Sequence, residues 1–559
     1  MDSPNSLKKN YLLALVSALI LWLAWPPMHY TALLLLIGMV PLLRGVENTI
    51  QSDAPKKGRK IFWLAGFTFF IWNTSCIYWV FNSLNAVNPT WIAALISLVP
   101  FGLAALLMTL AFWLYYHLRK VASKPVSYVG LVCYWIGYEY LHQTWDLAFP
   151  WMNLGNGFAE AHNLVQWYEY TGVYGGTLWI LVANILAFEL TLQKETTPRG
   201  YLLKKRLSLA LAGWVIIPIS VSLLIYTKYK EKTDPANIVV VQPNVDPYEK
   251  WGPVPSEVQV DRLLHLSDSI GQPNTEYFIW PETSVPDLIG EDEIRTNPNF
   301  LRIQNFLTKY KNGNVLTGME SYQLYSTAKT PTAHFVERMG KYSDYFNAAV
   351  NIENSSRIQF YHKSKLVPGV EKLPFASALS FLKPVFAAFG GSSGGFGSQD
   401  KPSVFYAQSG MGVAPVICYE SIWGEYVAES VAQGAQFIAI ITNDGWWGNT
   451  SGKDQHLEYA KLRAIETRRW VARSANTGIS AFINQRGDVT KKSKWWEATA
   501  LKENINLNED LTFYVRYGDY IAGAGCLGCL VFSILLLLKS GRLGKNKNGR
   551  VPKESQPLA

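Results

Sequence analysis

Three residues with useful chemistry follow apolar runs in the second half of the chain. Cys418 directly follows the run Val413–Ile417, and Glu282 comes one proline after Tyr277–Trp280. Lys363 stands at the end of a third apolar stretch. A free thiol has a pKa of about 8.5, so it needs a base or a positive charge beside it to be nucleophilic near neutral pH. A cysteine with a glutamate and a lysine meets that need.

The three side chains together predict acyl transfer. Glu282 removes the thiol proton, and Lys363 lowers the pKa of the thiol and balances the charge on the oxygen of a tetrahedral intermediate. The product is a thioester, which passes its acyl group to water or to an amine. Taken alone, Cys418 equally fits an inert, packed cysteine. The grouping of the three residues, not the cysteine by itself, carries the hypothesis.

The sequence argues against other catalytic patterns. None of the eight histidines stands near Cys418 along the chain, which disfavours a papain-like cysteine–histidine pair. The GxSxG matches fall inside the glycine- and serine-rich stretch 389–397, which is not a nucleophile elbow, and no Walker sequence occurs. The five cysteines have neither disulfide nor zinc spacing. We expect an enzyme that needs no metal and no cofactor.

The elements that must position these residues form an α/β pattern. From Ala236 onward, short apolar runs alternate with amphipathic helical segments, as in an α/β domain. The predicted strands end near residues 242, 280, 317, 352, 417 and 441, and predicted helices cover 254–270, 297–311 and 454–472. Polar residues at strand carboxyl ends converge on one rim of such a sheet. Glu282, Cys418 and Asn443 each stand at a predicted strand end.

The first part of the chain has the composition of a membrane domain. Charged residues make up 17% and hydrophobic residues 49% of the 559 residues. Apolar segments cover 11–25, 31–43, 61–83, 91–116, 127–142, 171–192, 206–226 and 519–538. A bilayer-spanning helix needs about 20 residues, so this pattern predicts about eight transmembrane helices. We expect a membrane domain over 1–231, an α/β domain over 232–518, and a final helix with a basic tail over 519–559.

The distribution of basic residues predicts the orientation. Lysines and arginines cluster at the N-terminus, in alternate loops and in the C-terminal tail, whereas the loops 26–30, 83–89 and 143–162 contain none. Basic loops remain in the cytoplasm. Both termini are therefore expected there, with the α/β domain on the opposite face. The net charge of +9 is explained by this topology and indicates no nucleic-acid partner.

Several motifs resemble a known superfamily. Trp280-Pro281-Glu282, the Lys363–Pro368 segment (K-x-x-L-V-P) and Ile417-Cys418-Tyr419-Glu420 occur in the order of the glutamate, lysine and cysteine motifs of the nitrilase, or carbon–nitrogen hydrolase, superfamily. With its predicted helices on both sides of the domain, the chain resembles the apolipoprotein N-acyltransferase family. The resemblance implies an α-β-β-α sandwich for the α/β domain.

The resemblance also implies a role for each matching residue. Glu282 matches the general base, Lys363 the oxyanion-stabilising lysine and Cys418 the nucleophile. Glu371 matches a second glutamate that orients the lysine or assists the base. The remaining matches are expected to contact substrate: Tyr419, Glu420, Asn443 and Trp446 line the family's active site, and Trp251 corresponds to a mobile-loop tryptophan near the lipid entry.

The sequence departs from the family pattern at two places. The usual Pro-Phe-Gly-Glu after the lysine reads Pro368-Gly369-Val370-Glu371, so the spacing is retained but the loop chemistry differs. The family commonly has an arginine near the end of the fifth helix, where this chain has His142. A glycine- and serine-rich stretch over 389–397 fits either a lid or a plain exposed loop.

The reaction that the resemblance implies takes place in the bacterial inner membrane, with the α/β domain in the periplasm. Cys418 takes an acyl chain from a membrane phospholipid and passes it to the α-amine of a diacylglyceryl-cysteine apolipoprotein. Two alternatives remain open. One is a membrane-anchored nitrilase-type amidase that hydrolyses a small amide. The other is a transporter or receptor whose outer domain binds a ligand without chemistry.

Overall fold

The structure analysed is a computed structural model of the chain. It describes residues 4–84, 90–193, 196–252, 254–379, 381 and 395–547. Most of the glycine-rich stretch predicted as a loop, and the end of the basic tail, lie outside the described residues.

Long helices form the first part of the molecule and its C-terminal end. They are α1 (Pro4–Leu23), α2 (Val40–Gln51), α3 (Lys57–Ile77), α4 (Trp79–Asn82), α5 (Thr90–Leu118), α6 (Lys124–Thr144), α7 (Tyr168–Leu192) and α8 (Pro198–Lys228), with a 3₁₀ turn at Ala32–Leu36. Five segments in the described residues are long and apolar enough to cross a membrane: Ala32–Gln51, Thr90–Leu118, Tyr168–Leu192, Pro198–Lys228 and Tyr520–Lys539. The predicted helical membrane domain is thus confirmed.

Helix α7 contains a break at Gly172. This glycine has φ of 58°, in the left-handed region that favours glycine. A Cβ atom there would lie 2.3 Å from the ring of Tyr514. The bend therefore lets a residue of the α/β domain approach the backbone of α7.

The α/β domain contains two packed β-sheets. The first sheet consists of β1 (Pro235–Gln242), β2 (Thr275–Ile279), β3 (Val285–Gly290), β4 (Asn314–Tyr325), β5 (His334–Val336), β6 (Lys341–Glu353), β7 (Ile358–His362) and β14 (Thr499–Asn506). The second consists of β8 (Phe405–Tyr406), β9 (Gly412–Ile417), β10 (Phe437–Thr442), β11 (Val471–Ala475), β12 (Ala481–Ile483) and β13 (Val489–Lys492). Their central strands are parallel: β1 pairs with β2 and β2 with β4, while β10 pairs with β9 and β11.

Helices cover the outer faces of both sheets. They are α9 (Ser256–Ile270), α10 (Pro298–Leu307), α11 (Ala376–Leu379), α12 (Gly424–Ala432), α13 (Ser451–Thr467) and α14 (Phe513–Tyr517), followed by α15 (Tyr520–Lys547). One core cluster contains residues of both sheets, such as Ile279 and Ile441. A second packs α9 and α10 on the first sheet, and a third packs α12 and α13 on the second. These layers confirm the predicted α-β-β-α sandwich.

One predicted helix is wrong at its end. The pattern over 454–472 predicts a continuous helix, but α13 stops at Thr467 and Val471 begins strand β11. Arg468 has a left-handed backbone with φ of 50°, which ends the helix. The apolar run that follows pairs in parallel with β10. Periodicity alone does not distinguish a helix from a following buried strand.

The helical and α/β parts share a core. The largest cluster of buried apolar residues contains Trp25 and Trp151 of the helical part together with Tyr419, Trp423 and Tyr459 of the α/β part. Burial of large aromatic side chains dominates the energetics of such contacts. The rim that carries the candidate residues is therefore packed directly against the helices.

Candidate active site

A lysine held between two glutamates lies at the centre of the site. Lys363 follows β7, and its Nζ is 3.0 Å from Glu282 Oε1 and 2.8 Å from Glu371 Oε1. The lysine side chain is 1% exposed. Asn347, on the neighbouring strand β6, donates to the same two carboxylate oxygens, each at 2.9 Å. The four side chains form one closed hydrogen-bonding group.

Glu282 is held in place by its own backbone. It comes after β2, and the next residue, Thr283, has φ of 46°. Gly318 of β4 packs against this turn, where a Cβ atom would lie 2.4 Å from the Thr283 nitrogen. Lys250 Nζ donates to the Glu282 carbonyl at 3.3 Å and to Thr283 Oγ1 at 2.5 Å. These contacts fix the direction in which the Glu282 carboxylate points.

Cys418 lies where β9 gives way to a short 3₁₀ turn. Its φ of 51° is left-handed, a conformation that costs a non-glycine residue on the order of 1–3 kcal/mol. The side chain is half-buried, and the thiol is near enough to the Glu282 carboxylate and the Lys363 ammonium for both charges to act on its pKa. This sharp bend of the backbone therefore directs the thiol towards Glu282 and Lys363.

The pKa values of the charged pair reflect mutual stabilisation. Burial acts to raise the pKa of Glu282, but the Lys363 ammonium and the Asn347 amide outweigh it, so this pKa lies below its ordinary value. Burial acts to lower the pKa of Lys363, yet the carboxylates of Glu282 and Glu371 raise it well above its ordinary value. Glu282 is consequently ionised and Lys363 protonated at neutral pH.

The thiol differs from the expectation. Burial raises the pKa of Cys418, and the nearby Glu282 carboxylate raises it further. Lys363 acts in the opposite direction but does not prevail. The effect of Lys363 on the thiol thus has the predicted direction, but the net pKa of Cys418 lies above its ordinary value. Cys418 is therefore a neutral thiol beside an ionised carboxylate, an arrangement suited to general-base activation.

Glu420 lies beneath the site, not in it. Its side chain is fully buried. Glu420 Oε1 accepts hydrogen bonds from Tyr361 Oη at 2.5 Å and from the backbone nitrogens of Ser364 and Lys365 at 2.7 and 3.2 Å. Oε2 accepts from the Ile417 nitrogen at 2.8 Å. The carboxylate therefore joins the cysteine turn to the lysine loop.

The other residues predicted to contact substrate lie around the rim. Tyr419 donates to the Ala148 carbonyl at 2.9 Å, and Asn443 accepts from Thr477 at 3.2 Å. Trp446 is 37% exposed, and Trp251 is 51% exposed. Tyr419 thus contacts the helical part and Asn443 braces a loop, whereas both tryptophans present open indole surface.

Sequence reasoning assigned no role to three residues that contact the site. Asn347 lies inside a long strand, and nothing in its position signals that it bridges two glutamates. Lys250 is 3% exposed, and burial lowers its pKa to about 8. His456 lies 3.2 Å from the carbonyl oxygen of Cys418, although it is distant in sequence. The available signal was for Lys250, which directly precedes Trp251, the tryptophan predicted to lie on a mobile loop.

Within the part of the chain that the structure describes, no group of three or more His, Cys, Asp or Glu side chains is arranged to hold a metal ion. His142 accepts from Trp145 Nε1 at 3.2 Å through Nδ1. His142 lies near the C-terminal end of α6 and contacts aromatic rings there.

Comparisons with known proteins identify relatives of both parts of the chain. The description "Apolipoprotein N-acyltransferase N-terminal domain" matches residues 17–186, and "Carbon-nitrogen hydrolase" matches residues 240–509. The chain is similar to the apolipoprotein N-acyltransferases of Chlorobaculum tepidum, with 28% identity over 96% of this chain and 97% of that protein, and Pseudomonas aeruginosa, with 27% over 94% and 96%. A solved amidase of the nitrilase superfamily from Nesterenkonia aligns with a TM-score of 0.34 and 13% identity, covering 50% of this chain and 93% of that one.

The two-sheet sandwich and the membrane helices define a membrane-bound enzyme of the nitrilase superfamily. Both parts are matched, and the relatives match along nearly their whole length. The chain belongs to the apolipoprotein N-acyltransferase family.

Proposed function

We propose that the protein transfers an acyl chain from a membrane phospholipid to the N-terminal α-amine of a diacylglyceryl-cysteine apolipoprotein, through a thioester on Cys418. The observation that carries the proposal is the thiol beside an ionised glutamate that is itself paired with a buried lysine at 3.0 Å. The family relationship supplies the substrate classes.

In the first half-reaction, Glu282 accepts the thiol proton as Cys418 Sγ attacks the ester carbonyl of the phospholipid. Lys363 donates a hydrogen bond to the oxygen that becomes negative. The ester C–O bond breaks, and Glu282 returns the proton to the departing glycerol oxygen. A lysophospholipid leaves, and the acyl chain remains on sulfur.

In the second half-reaction, the α-amine of the apolipoprotein attacks the thioester carbonyl. Glu282 accepts a proton from the nitrogen and returns it to the departing sulfur, while Lys363 again balances the oxyanion. An amide and the free thiol result. Exclusion of water slows hydrolysis of the thioester and favours the amine.

We assign supporting roles to the surrounding residues. Glu371 orients Lys363, with which it makes the 2.8 Å contact. Glu420 positions the lysine loop. Tyr419 and Asn443 shape the rim, and the exposed indoles of Trp251 and Trp446 offer apolar surface to the lipid substrates.

We further propose that residues 1–231 form the membrane domain, 232–518 the periplasmic catalytic domain, and 519–559 the last transmembrane helix with a cytoplasmic tail. The alternation of basic and uncharged loops supports this orientation in the inner membrane. It presents the rim to lipids of the outer leaflet, where both substrates are expected.

The test is acylation of the purified full-length protein with phospholipid that carries a radiolabelled acyl chain. We expect wild type to acquire a hydroxylamine-labile label. Cys418→Ser should acquire none, whereas Cys76→Ser, a buried cysteine in the helical part, should label normally. Absence of labile label on wild type would show that the thioester mechanism is wrong.

A further inference from the structure

Helix α13 (Ser451–Thr467) lies between the helical part and the second sheet. It carries two consecutive polar residues, Gln455 and His456, each 1% exposed. Successive residues on a helix point about 100° apart, since a turn holds about 3.6 residues. The two side chains therefore face different neighbours.

Gln455 is bound entirely by the helical part. Its Oε1 accepts from Trp151 Nε1 at 2.8 Å and from Trp79 Nε1 at 3.1 Å. Its Nε2 donates to the carbonyls of Pro26 at 2.9 Å and Cys76 at 3.0 Å. A glutamine amide has two donors and two acceptor positions, and all four are used here. The contacts come from three separate segments, so Gln455 fixes α13 to the helices.

His456 is bound to the nucleophile's backbone. Its Nε2 lies 2.8 Å from Ser421 Oγ and 3.2 Å from the Cys418 carbonyl oxygen. Ser421 Oγ itself donates to the same carbonyl at 2.8 Å. Because the serine has only one proton, this pattern assigns a proton to Nε2 of the histidine. The Cys418 carbonyl is thus held by two donors.

The other edge of the imidazole is held by buried charges. Nδ1 lies 3.0 Å from Asp444 Oδ1 and 3.0 Å from Arg473 Nη2. Arg473 donates to Asp444 Oδ2 at 2.6 Å, and Thr442 donates to Oδ1 at 2.9 Å. A satisfied buried polar network is rigid. The ring therefore has one orientation, with Nε2 directed at the cysteine turn.

The cysteine turn needs such support. Cys418 has φ of 51°, and a strained backbone of this kind persists only when its surroundings hold it. The direction of the thiol depends on that backbone, because χ1 rotates about a Cα–Cβ bond whose direction the backbone sets. His456 contacts the carbonyl and not the sulfur, so its contacts suit positioning and not proton transfer.

We propose that the Gln455–His456 pair couples the helical domain to the nucleophile: Gln455 fixes α13 to the helices, and His456 is a positioning residue that holds Cys418 in its reactive conformation. The α/β domain thereby depends on its helices for the geometry of its own thiol. This goes beyond the proposed function, since it concerns the thiol whatever acyl donor it receives.

The test measures alkylation of Cys418 by iodoacetamide in the full-length protein in detergent, across neutral and alkaline pH, with Cys418→Ser as the blank for the other cysteines. His456→Leu removes the donor, and we expect alkylation at least about tenfold slower, because misplacement of a reacting atom by about 1 Å has effects of that size or larger. His456→Gln retains a side-chain donor and should stay within about threefold of wild type.

Two further variants test the coupling. Gln455 contacts no group of the active site. Gln455→Leu should nevertheless slow alkylation of Cys418 by about threefold or more, because it frees α13 from the helices. Asp454→Asn, on the same helix and half-buried, should alkylate at the wild-type rate. Ser421→Ala removes the second donor with little change in volume and should give a smaller loss than His456→Leu.

The results of these experiments distinguish the positioning role of His456, the coupling through Gln455 and the proposed function. Wild-type alkylation rates in folded His456→Leu, or equal losses in His456→Gln and His456→Leu, would overturn the positioning role. If His456→Leu does not fold, a wild-type rate and pH profile in Ser421→Ala would overturn it. Wild-type rates in Gln455→Leu would overturn the coupling. A wild type that forms no acyl-thioester while these variants still alkylate slowly would refute the proposed function and support this inference.

Discussion

Glu420 Oε1 lies 2.7 Å from the backbone nitrogen of Ser364, a residue far away in the sequence. Glu420 stands two residues after the nucleophile, and Ser364 directly follows Lys363. The contact therefore sets the position of the proposed nucleophile relative to the proposed oxyanion-stabilising lysine. The donors to this carboxylate are backbone N–H groups of a strand and a loop and the hydroxyl group of a buried tyrosine. All of them are therefore held in fixed positions.

Glu420→Gln should lower turnover by about ten- to a hundredfold with little change in the KM for phospholipid. In glutamine, an NH2 group replaces one carboxylate oxygen. This NH2 group is a donor and would face backbone N–H groups or the tyrosine hydroxyl, which would then lose their acceptor. Single-turnover formation of the acyl-enzyme measures the effect. Glu429→Gln, a half-buried residue of α12, is the matched control and should behave as wild type.

Lys363→Arg should retain the positive charge and lose most of the acyl transfer, by about a hundredfold or more. A planar guanidinium does not fit the space between Glu282 and Glu371, where the ammonium makes contacts of 3.0 and 2.8 Å. Radiolabelled acyl transfer checks this. Near-normal rates would point to a different oxyanion partner.

The pH profile should depend on Asn347. Glu282 has a lowered pKa, so acyl-enzyme formation is expected to be constant near neutral pH and to fall only when the pH drops through that value, below 4.5. Asn347→Leu removes a hydrogen bond that lowers this pKa, so the acidic limb should move to higher pH. Asn351→Leu, on the same strand, should leave the limb in place.

Gly318→Ala should displace Glu282 through its backbone. A Cβ atom would lie 2.4 Å from the Thr283 nitrogen and 2.7 Å from the Glu282 Cα, so the turn must shift. We expect a loss of about 1–3 kcal/mol in stability and a drop in turnover of about tenfold. Thermal melting and acyl transfer measure the two effects. Gly523→Ala, where a Cβ would meet nothing within 4 Å, should change neither.

Lys250→Met should loosen the segment that carries Trp251. Methionine fills the space but donates no hydrogen bond to Thr283 or to the Glu282 carbonyl. We expect acyl-enzyme formation about tenfold slower and faster proteolysis between residues 243 and 254. The exposed Lys309→Met is the control. A wild-type cleavage rate would show that Lys250 does not restrain the segment.

The sequence alone was sufficient to predict those elements that have a distinct local pattern. The ends of β2 and β9 could be located because apolar runs stop at Pro281 and Cys418. The α/β class followed from alternating strands and helices, whereas the sandwich was implied by the resemblance to the nitrilase superfamily. The grouping of Glu282 and Lys363, whose side chains are 3.0 Å apart in the structure, was predicted from the chemistry that a reactive thiol needs and from the family motifs.

What could not be predicted depends on contacts between distant parts of the chain. The raised pKa of Cys418 results first from burial, which a local motif does not encode. His456 reaches the Cys418 carbonyl only because α13 crosses behind the second sheet. Glu420 was expected to meet substrate, yet its four acceptor contacts are with the protein's own backbone and Tyr361.

Helix α8 and the span at Tyr520–Lys539 lead into and out of the α/β domain, and their most apolar windows are only 6% and 11% buried by protein. Both helices therefore meet hydrocarbon along most of their length. A change in bilayer thickness must then be absorbed by tilt of these two attachments or by local deformation of the lipid, at a fraction of a kcal/mol per Å. Under the proposed function, the height of the Cys418 rim above the hydrocarbon, and so the distance between a lipid ester and the thiol, depends partly on the thickness of the host membrane.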